Sequence, residues 1–499
     1  MIPVLTKKLA YNLDKDTIKS GHLSKEELMD NAGKAVAQFF CEEIQNPFSK
    51  TVVVVCGKGN NGGDGLITHS YLKKYNVSSK IVFIERNHGH LQLLKKYDIS
   101  KSEYLIYNDK IKFDKYDWVV DSIFGIGLSR NLNKKYQKII EDLNCNKNII
   151  SIDISSGLFI DNNKSKNFIK SKYIVTFGYP KFGHYIEPVN NLIIKNIGFK
   201  SISSNIQNIE FSDIKLIIKS LNKKNNIHKY SKGRVNIFAG STKYTGAAIL
   251  TSRAALNSGS GIVFLYWCSD NYDILHKIKA KYPDIVSDFY YNVIKSKEYE
   301  SGNFCFGPGV LLNNKLKRIK GFFNTDNVVV DSGGFNYFSG FNNPEIINNI
   351  SNSYFDSNAF PKGILTPHEG ELKKIFKIKN KNFLDIQNLT EIQKSISTDH
   401  VVILKSFNTF IIAKDMIYIM DKGPSILATA GTGDVLSGIL VSLLSQGYSR
   451  LEASILGTYL HAEAANYYMN TISKDGMTAS DLIDCIPYAF NKIRQADEH

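Results

Sequence analysis

The sequence predicts an α/β protein built from two doubly wound domains, and three stretches carry that prediction. TVVVVCGKGNNGGDGL (51–66) joins a continuous β-branched run, typical of a strand buried on both faces, to a glycine-rich loop and a helix. Residues 233–412 repeat the order strand, glycine turn and helix. ATAGTGDVLSGIL (428–440) joins a second glycine loop to an apolar helix. In such folds the loops at the carboxyl ends of parallel strands bind ligands.

Composition restricts the class of protein. With 499 residues, the chain is long enough for two or three domains. Its net charge of +15 comes from lysines scattered among asparagines, which favours phosphorylated small molecules over nucleic acid. The six cysteines show no CxxC or metal-ligand spacing, as expected of reduced thiols. No long apolar run or signal sequence is present, so we expect a soluble cytoplasmic protein without membrane or nucleic-acid partners.

In the first half, apolar spacing predicts one long helix over residues 14–45 and a second helix from about Gly65 to Tyr75. Between them lies the first glycine loop, in which Asn60, Asn61 and Asp64 are polar residues that a simple turn does not require. The loop could still be only a structural turn. It matches neither a dinucleotide fingerprint nor a Walker A sequence.

Two further strand ends in this half carry polar residues. Asp121 ends the strand in DWVVDSIFGIGL (117–128), and Asp153 ends the strand in NIISIDISSGL (148–158). Asn61, Asp121 and Ser156 could offer hard oxygen ligands to a cation, while Asp153 could exchange a proton with a substrate. The alternative is that each aspartate only caps the helix that follows it.

These motifs, with LMDNAG and TFGYPKFG (176–183), resemble the NAD(P)H-hydrate epimerase domain over roughly residues 1–200. The resemblance implies a Rossmann-like three-layer sandwich, a potassium ion at Asn61, Asp121 and Ser156, and an acid–base role for Asp153. It also departs from the family pattern, with Ser155 in place of proline and Ile126 in place of threonine. The residues implied to bind the hydrate are Asn60, Asn61, Gly62, Gly63, Asp64, Gly125, Ile126, Gly127, Leu128, Ser129, Arg130, Asn131 and Asp153.

In the second half, several strand ends again carry groups suited to a phosphate or a nucleotide. Lys405 lies where VVIL and TFII meet in a tight connection, which gives it a reason to point into a crevice. The amides of Gly431–Gly433 and the following helix N-terminus predict an anion site, and Asp434 at its mouth could act as a base. Asp434 could instead only cap the helix, and His368 could be a structural histidine.

This half resembles the ribokinase-like NAD(P)H-hydrate dehydratase over about residues 225–490, through YTGAA, GPG, VVVDSGGFN, LTPHEGEL, LKSFNT and ATAGTGDVLSG. The resemblance implies a ribokinase-like fold, Asp434 as the base, and Mg²⁺ bound with ADP. Ser406, Gly333 and Ile426 depart from the family pattern, which has glycine, aspartate and glycine there. We expect the larger side chains of Ser406 and Ile426 to weaken nucleotide binding. The implied hydrate contacts are Ala247, Gly309, His368 and Asp434, and the implied nucleotide contacts are Lys405, Ser406, Phe407, Asn408, Thr409 and Gly433.

Together the two resemblances predict an epimerase domain (1–205) and a dehydratase domain (206–499) that repair hydrated nicotinamide cofactors. The first would interconvert the R and S forms of NADHX and NADPHX, and the second would dehydrate the S form at the expense of ADP. We also expect a homo-oligomer. Two alternatives stay open: a ribokinase-like small-molecule kinase, and a nucleotide-binding scaffold with an inactive first domain. The residues do not decide between ADP and ATP.

Overall fold

The chain folds into two compact α/β units, so the predicted fold class is confirmed. The N-terminal unit comprises Ile2–Ile206 with Leu384–Ile386, and the C-terminal unit comprises Met1, Gln207–Phe383 and Gln387–His499. The structure is a computed structural model that describes residues 1–162, 166–187, 191–221, 228–229, 232–296, 303–311, 316, 323, 327–339, 360–376, 378 and 384–495.

The N-terminal unit contains a seven-stranded sheet in the order β4-β3-β2-β5-β6-β7-β8, in which every neighbouring pair is parallel. The chain adds strands on one side of β2 and then returns to add β5 on its other side. The carboxyl ends of β2 and β5 therefore flank a topological switch point, where ligands bind in open α/β sheets. The strands from β1 on are Ile2–Pro3, Thr51–Cys56, Ser78–Phe83, Tyr104–Ile106, Trp118–Ser122, Ile149–Ile152, Tyr173–Phe177 and Leu192–Lys195.

Helices cover both faces of this sheet and make it the middle of three layers. Val52 and Val54 on β2 pack into the core cluster that contains helix α2, whereas Val53 and Val55 pack into the cluster that contains α5. Alternation along one strand thus supplies both cores. Helices α1 to α5 are Lys7–Lys19, Lys25–Glu43, Asn60–Lys74, His88–Lys96 and Lys134–Leu143.

The prediction of one long helix over residues 14–45 is wrong, because the chain forms α1 and α2 with a break between them. Gly21 adopts a φ of +66°, in the left-handed region that ends helices. Ser24 then begins α2, accepting a hydrogen bond from the Glu27 amide while the Glu27 side chain bonds the Ser24 amide. This capping box is a strong local signal for the start of a helix. The prediction relied on the apolar spacing and did not use it.

The helix predicted from Gly65 begins earlier, at Asn60, and takes the glycines into its first turns. The reason is close packing. A Cβ on Gly62 would lie 1.9 Å from the carbonyl oxygen of Gly57, and one on Gly65 would lie 2.1 Å from Ser122 Oγ. Glycine is therefore required at these positions by the approach of α3 to the sheet, rather than by a turn.

The sheet of the C-terminal unit runs β18-β17-β16-β15-β14-β13-β10-β11-β12. The pairs from β16 to β12 are parallel, while β16, β17 and β18 pair antiparallel through short connections. Its switch point lies between β10 and β13. The strands from β9 on are Ile206–Asn208, Arg234–Ala239, Ile262–Trp267, Val286–Phe289, Asn303–Phe306, Val328–Val330, Gly363–Leu365, His400–Leu404, Thr409–Ile412 and Ile417–Met420.

The helices of this unit form one large core against the sheet. Ile237 and Val329 pack with the apolar residues of α7 and α13 to α15, whereas Phe238 and Phe306 face the other side and contact aromatic rings there. None of the described helices has the length and apolar composition to cross a membrane. Helices α6 to α15 are Phe211–Ser220, Thr245–Asn257, Tyr272–Lys281, Tyr290–Ser296, Gly333–Ser339, Glu369–Ile375, Ile386–Ser395, Thr432–Ser445, Arg450–Thr471 and Ala479–Gln495.

Candidate active sites

The N-terminal unit has a cavity of about 1290 Å³ at its switch point. Of the residues predicted to bind the hydrate, Gly62 and Gly63 do not line the cavity and are buried within α3. All the others line it: Asn60, Asn61, Asp64, Gly125, Ile126, Gly127, Leu128, Ser129, Arg130, Asn131 and Asp153. The structure thus brings together the first turn of α3, the loop after β5 and the residue after β6.

Asp153 forms an ion pair with Lys181, a residue that the sequence analysis did not single out. Lys181 Nζ lies 2.5 Å from Asp153 Oδ1 and also donates to Thr176 Oγ1 (2.8 Å) and to the carbonyl oxygen of Phe177 (3.2 Å). Both ionic side chains are largely buried. Burial raises the pKa of Asp153, but the charge and hydrogen bond of Lys181 outweigh it and hold that pKa below its ordinary value. Asp153 is therefore ionised at neutral pH.

His184 fixes the backbone that carries Asp153. Its Nδ1 accepts from the Lys181 amide (3.1 Å), so its Nε2 carries the proton and donates to the Asp153 carbonyl oxygen (3.0 Å). Burial lowers the pKa of His184 to about 3, consistent with this neutral tautomer. Asp153 itself has a φ of +65°, and no helix begins in the described residues 154–162 that follow it, so the helix-cap alternative is wrong for this residue.

Asp121 and Ser156, two of the three predicted potassium ligands, do not line the cavity and form one buried hydrogen-bond network. Asp121 accepts four hydrogen bonds: from the Ser156 hydroxyl (2.6 Å) and amide (2.9 Å), the Ser151 hydroxyl (2.7 Å) and the Ile123 amide (3.2 Å). Burial still raises the pKa of Asp121 despite these bonds. Nearby, the amide Nδ2 of Asn61 is buried and has no hydrogen-bond partner among the described residues.

Two further carboxyl groups face this cavity and have raised pKa values. Asp14, on α1, has a pKa raised to about 6 by burial and by the charge of Asp153, with Lys181 acting in the opposite direction. Asp64 has a pKa well above its ordinary value for the same first two reasons. Asp14 was missed because the predicted helix began there with no sign of which face it presents.

The C-terminal unit has a cavity of about 400 Å³ at its own switch point. All four residues predicted to contact the hydrate line it: Ala247, Gly309, His368 and Asp434. Ala247 lies on α7 after β10, and Gly309 follows β13 with a φ of +65°. A Cβ on Gly309 would lie 2.8 Å from the Ala247 Cβ, so glycine keeps this wall of the cavity close-packed.

Asp434 lies in the first turn of α13, but it does not cap the helix. The residue at the cap position is Gly431, with a φ of +90° and no side-chain cap bond. Burial and the charge of Asp331 raise the pKa of Asp434 to about 7, and Lys405 acts to lower it. Asp434 therefore titrates near neutral pH, as suits a general base.

Lys405 lies beside Asp434 in an ion pair with Asp331. Lys405 Nζ lies 2.9 Å from Asp331 Oδ1, and the Ser437 hydroxyl donates to Asp331 Oδ2 (3.0 Å). A Cβ on Gly433 would lie 3.2 Å from Lys405 Nζ, so the ammonium group is held against the N-terminus of α13. The positive charge of Lys405, the N-terminal end of the α13 dipole and the glycine amides therefore lie close together, and this arrangement suits a phosphate group.

Of the other predicted nucleotide residues, Ser406, Phe407 and Asn408 lie in the connection between β16 and β17, and Thr409 begins β17. Ser406 and Thr409 are half-buried, Phe407 is exposed and Asn408 is buried. Gly333, a departure from the family pattern, lies at the start of α10. A Cβ there would lie 2.2 Å from the Val310 carbonyl oxygen, so the backbone leaves no space for a side chain at this position.

His368 is exposed at the rim of the cavity and begins α11. Its Nδ1 accepts from the Gly370 amide (3.0 Å), while Glu371 accepts from the His368 amide (2.9 Å). The structural role of His368 as a helix cap is thus present together with its position in the cavity. Burial raises the pKa of Glu371, which lines the same cavity and was not among the predicted site residues.

Two α/β units, each with a cavity and a shifted carboxyl group at the switch point of its sheet, define a two-domain enzyme. Residues 25–183 match the family model described as the YjeF-related protein N-terminus, and residues 235–488 match the model described as NAD(P)H-hydrate dehydratase. The chain belongs to the NAD(P)H-hydrate dehydratase family and carries a YjeF-related N-terminal domain.

Relatives extend over nearly the whole chain. A protein of Dictyoglomus turgidum named bifunctional NAD(P)H-hydrate repair enzyme Nnr is 28% identical over 93% of this chain and 94% of its own length. A protein of the same name from Thermofilum pendens is 26% identical over 97% and 95%. The structure of the ADP/ATP-dependent NAD(P)H-hydrate dehydratase from Bacillus subtilis, co-crystallised with ATP/Mg²⁺, aligns with 58% of this chain and 100% of that chain, at 20% identity and a TM-score of 0.45.

Proposed function

We propose that this protein repairs hydrated nicotinamide cofactors. The N-terminal unit interconverts the R and S forms of NADHX and NADPHX, and the C-terminal unit dehydrates the S form with ADP as phosphoryl donor. The observation that carries the proposal is the pair of shifted carboxyl groups, Asp153 and Asp434, each at the switch-point cavity of its unit. Relatives named bifunctional NAD(P)H-hydrate repair enzyme match more than nine-tenths of the chain, which supports one chain having two activities.

In the N-terminal unit, Asp153 is the proposed acid–base residue for exchange at C6 of the hydrate. Its ion pair with Lys181 keeps the carboxylate ionised, so it is ready to accept a proton at neutral pH. The Gly125–Asn131 loop and the first turn of α3 form the remaining walls, where they would hold the dinucleotide.

Potassium is the proposed cation of this unit, with Asn61, Asp121 and Ser156 as its ligands. The residues fit in kind, since they carry amide, carboxylate and hydroxyl oxygens. The buried carboxyl of Asp121 would be favoured as an anion by a neighbouring cation. The ion would hold Asp121 close to Ser156, which lies in the turn that follows Asp153.

Replacing potassium with tetramethylammonium at constant ionic strength is expected to slow epimerisation by about tenfold, equivalent to about 1.4 kcal/mol of activation free energy. The bulky cation cannot approach the oxygens of Asn61 and Ser156. The R-to-S rate is followed by coupling to excess dehydratase activity, and restoring potassium should restore it. An unchanged rate in tetramethylammonium would exclude the ion site.

In the C-terminal unit, Asp434 would take the proton from the 6-hydroxyl as its oxygen attacks the terminal phosphoryl group of ADP. AMP leaves, and the phosphate ester at C6 then departs with the C–O electron pair while a proton is lost from C5, which restores the dihydronicotinamide. Lys405, held against the N-terminus of α13, would stabilise the phosphoryl charge. Mg²⁺ would neutralise the phosphates, and Glu371 and Asp331 are the carboxylates that could complete its coordination.

Dehydration of the S form is expected to slow as the pH falls below about 7, by about tenfold per pH unit. The sign follows from Asp434, whose pKa is raised to about 7 and which must be ionised to act as a base. The measurement is kcat/KM for S-NADHX with saturating ADP between pH 5.5 and 8.5. A rate that is constant down to pH 5.5 would contradict this role.

The test of the whole proposal is the recovery of reduced-nicotinamide absorbance from mixed R and S NADHX with ADP, ATP or no nucleotide. Complete recovery that needs a nucleotide supports both activities, and recovery of the S fraction alone would remove the epimerase. A stable phosphorylated product without recovery would favour the small-molecule kinase instead. The nucleotide choice, the cytoplasmic location, the homo-oligomeric state and the domain boundary at 205/206 stay predictions.

A further inference from the structure

Asp14 places an additional carboxyl group in the N-terminal cavity. It lies on α1, before the segment of residues 25–183 that matches the family model, and lines the cavity together with Asp64 and Asp153. No hydrogen bond between described residues uses its carboxyl group. Its neighbour Asp16, on the same helix, is exposed and does not line the cavity.

The pKa values of the three carboxyl groups are shifted in different directions. Asp153 forms an ion pair with the buried Lys181 and stays ionised. Neither Asp14 nor Asp64 forms an ion pair with a described residue, and the charge of Asp153 raises the pKa of both. The pKa of Asp14 is about 6, and that of Asp64 lies well above its ordinary value. Environments that make the pKa values of neighbouring carboxyl groups differ in this way are typical of acid and base pairs. The groups that act on these sites are Asp64, Asp153, Lys181 and Lys25.

Inversion at C6 needs two proton-transfer groups, because the leaving hydroxyl and the incoming water lie on opposite faces of the ring. We propose that Asp14 is the second catalytic residue of the epimerase site, the proton donor that acts together with Asp153. This inference rests on the proposed epimerase function. Asp14 is favoured over Asp64 because both of its forms are populated near neutral pH, so it can donate a proton and recover it.

The step balances as follows for C–O cleavage. Asp14 gives its proton to the C6 hydroxyl, which leaves as water with the C–O electron pair, and the ring nitrogen lone pair forms a C=N bond. Water then attacks C6 from the opposite face, the C=N electrons return to nitrogen, and Asp153 accepts the proton of the attacking water. Solvent returns a proton from Asp153 to Asp14, so the cycle consumes nothing.

The experiment compares Asp14→Asn with Asp16→Asn in the full-length chain, using R-NADHX and excess ADP. Asp14→Asn should lower kcat for R consumption by about a hundredfold with KM little changed, since a positioned acid contributes about that factor. Dehydration of purified S-NADHX should not change. Asp16→Asn should behave as the wild type, and the thermal unfolding midpoint of both variants should be at or above that of the wild type.

The wild type gives a second readout that needs no variant. Its epimerisation rate should fall as the pH rises above about 6, as Asp14 loses its proton, and Asp14→Asn should remove that limb. A wild type that does not epimerise at all would overturn the proposed function. A wild type that epimerises without this limb, or an Asp14→Asn variant with wild-type kcat, would overturn the inference about Asp14 alone.

Discussion

Replacing Asp434 with alanine is expected to lower kcat/KM for ADP-dependent dehydration by about a thousandfold, while R and S hydrates still interconvert at the wild-type rate. A general base contributes about a hundredfold to ten-thousandfold, and no other carboxylate in the described cavity lies in the first turn of α13. Epimerisation should persist because Asp434 lies in the C-terminal unit, and the epimerase residues lie in the N-terminal one. The measurement is S-NADHX consumption beside R/S exchange followed by chromatography.

The Asp434→Ala variant should fold, because the side chain it removes is a partly buried carboxyl group with a raised pKa. Loss of such a group relieves an unfavourable charge at pH 8, so the thermal midpoint should be equal to or above that of the wild type. Asp475→Ala, at an exposed position of the same unit, is the matched control and should retain both activities. Parallel loss of dehydration and epimerisation in Asp434→Ala would contradict two independent sites.

Replacing Asp153 with asparagine is expected to reduce consumption of the R hydrate to its spontaneous rate and to leave the S hydrate fully repairable. Asparagine cannot accept the proton, yet its Oδ1 can still accept a hydrogen bond from Lys181. It also tolerates the left-handed φ of +65° better than alanine does. The assay is the biphasic recovery of absorbance from an R/S mixture, in which only the second phase should disappear.

Stability has to be followed in this variant, because Lys181 is buried and loses its anionic partner. Its ammonium group keeps the Thr176 hydroxyl and the Phe177 carbonyl as acceptors, so we expect a folded protein with a lowered thermal midpoint. Asp98→Asn is the matched control, since Asp98 is an exposed aspartate with a φ of +49° in the same unit. R-hydrate consumption above the spontaneous rate in a folded Asp153→Asn variant would remove Asp153 from the mechanism.

The residues that could be predicted from sequence are those that follow a strand within a few positions. Asn61 and Asp153 come soon after β2 and β6, and parallel strands bring their carboxyl ends to one edge. Gly309 and Asp434 were assigned differently: Gly309 by the family resemblance, and Asp434 by the glycine loop that begins its helix. The position of such residues depends on the local pattern and the topology, both of which the sequence carries.

Residues whose role depends on a distant partner could not be predicted. Lys181 is separated from Asp153 by 28 positions, and Asp331 from Lys405 by 74, so no spacing rule connects them. Only the structure shows that each pair is at least partly buried and that it affects the charge of its own site. The start of α3 was missed for a related reason, because Gly62 is required by contact with a carbonyl oxygen that the sequence does not reveal.

The contact between Gly62 and Gly57 affects how far the NNGGDG signature can be used to diagnose activity in other proteins. Those glycines are retained as long as the helix has to lie against the sheet, whether or not anything is converted in the cavity. A descendant that had become a pure binding protein would therefore keep the signature. A lysine–aspartate pair equivalent to Lys181 and Asp153 has no such steric reason to persist, so under the role proposed for Asp153 its presence would be the better marker of a working enzyme.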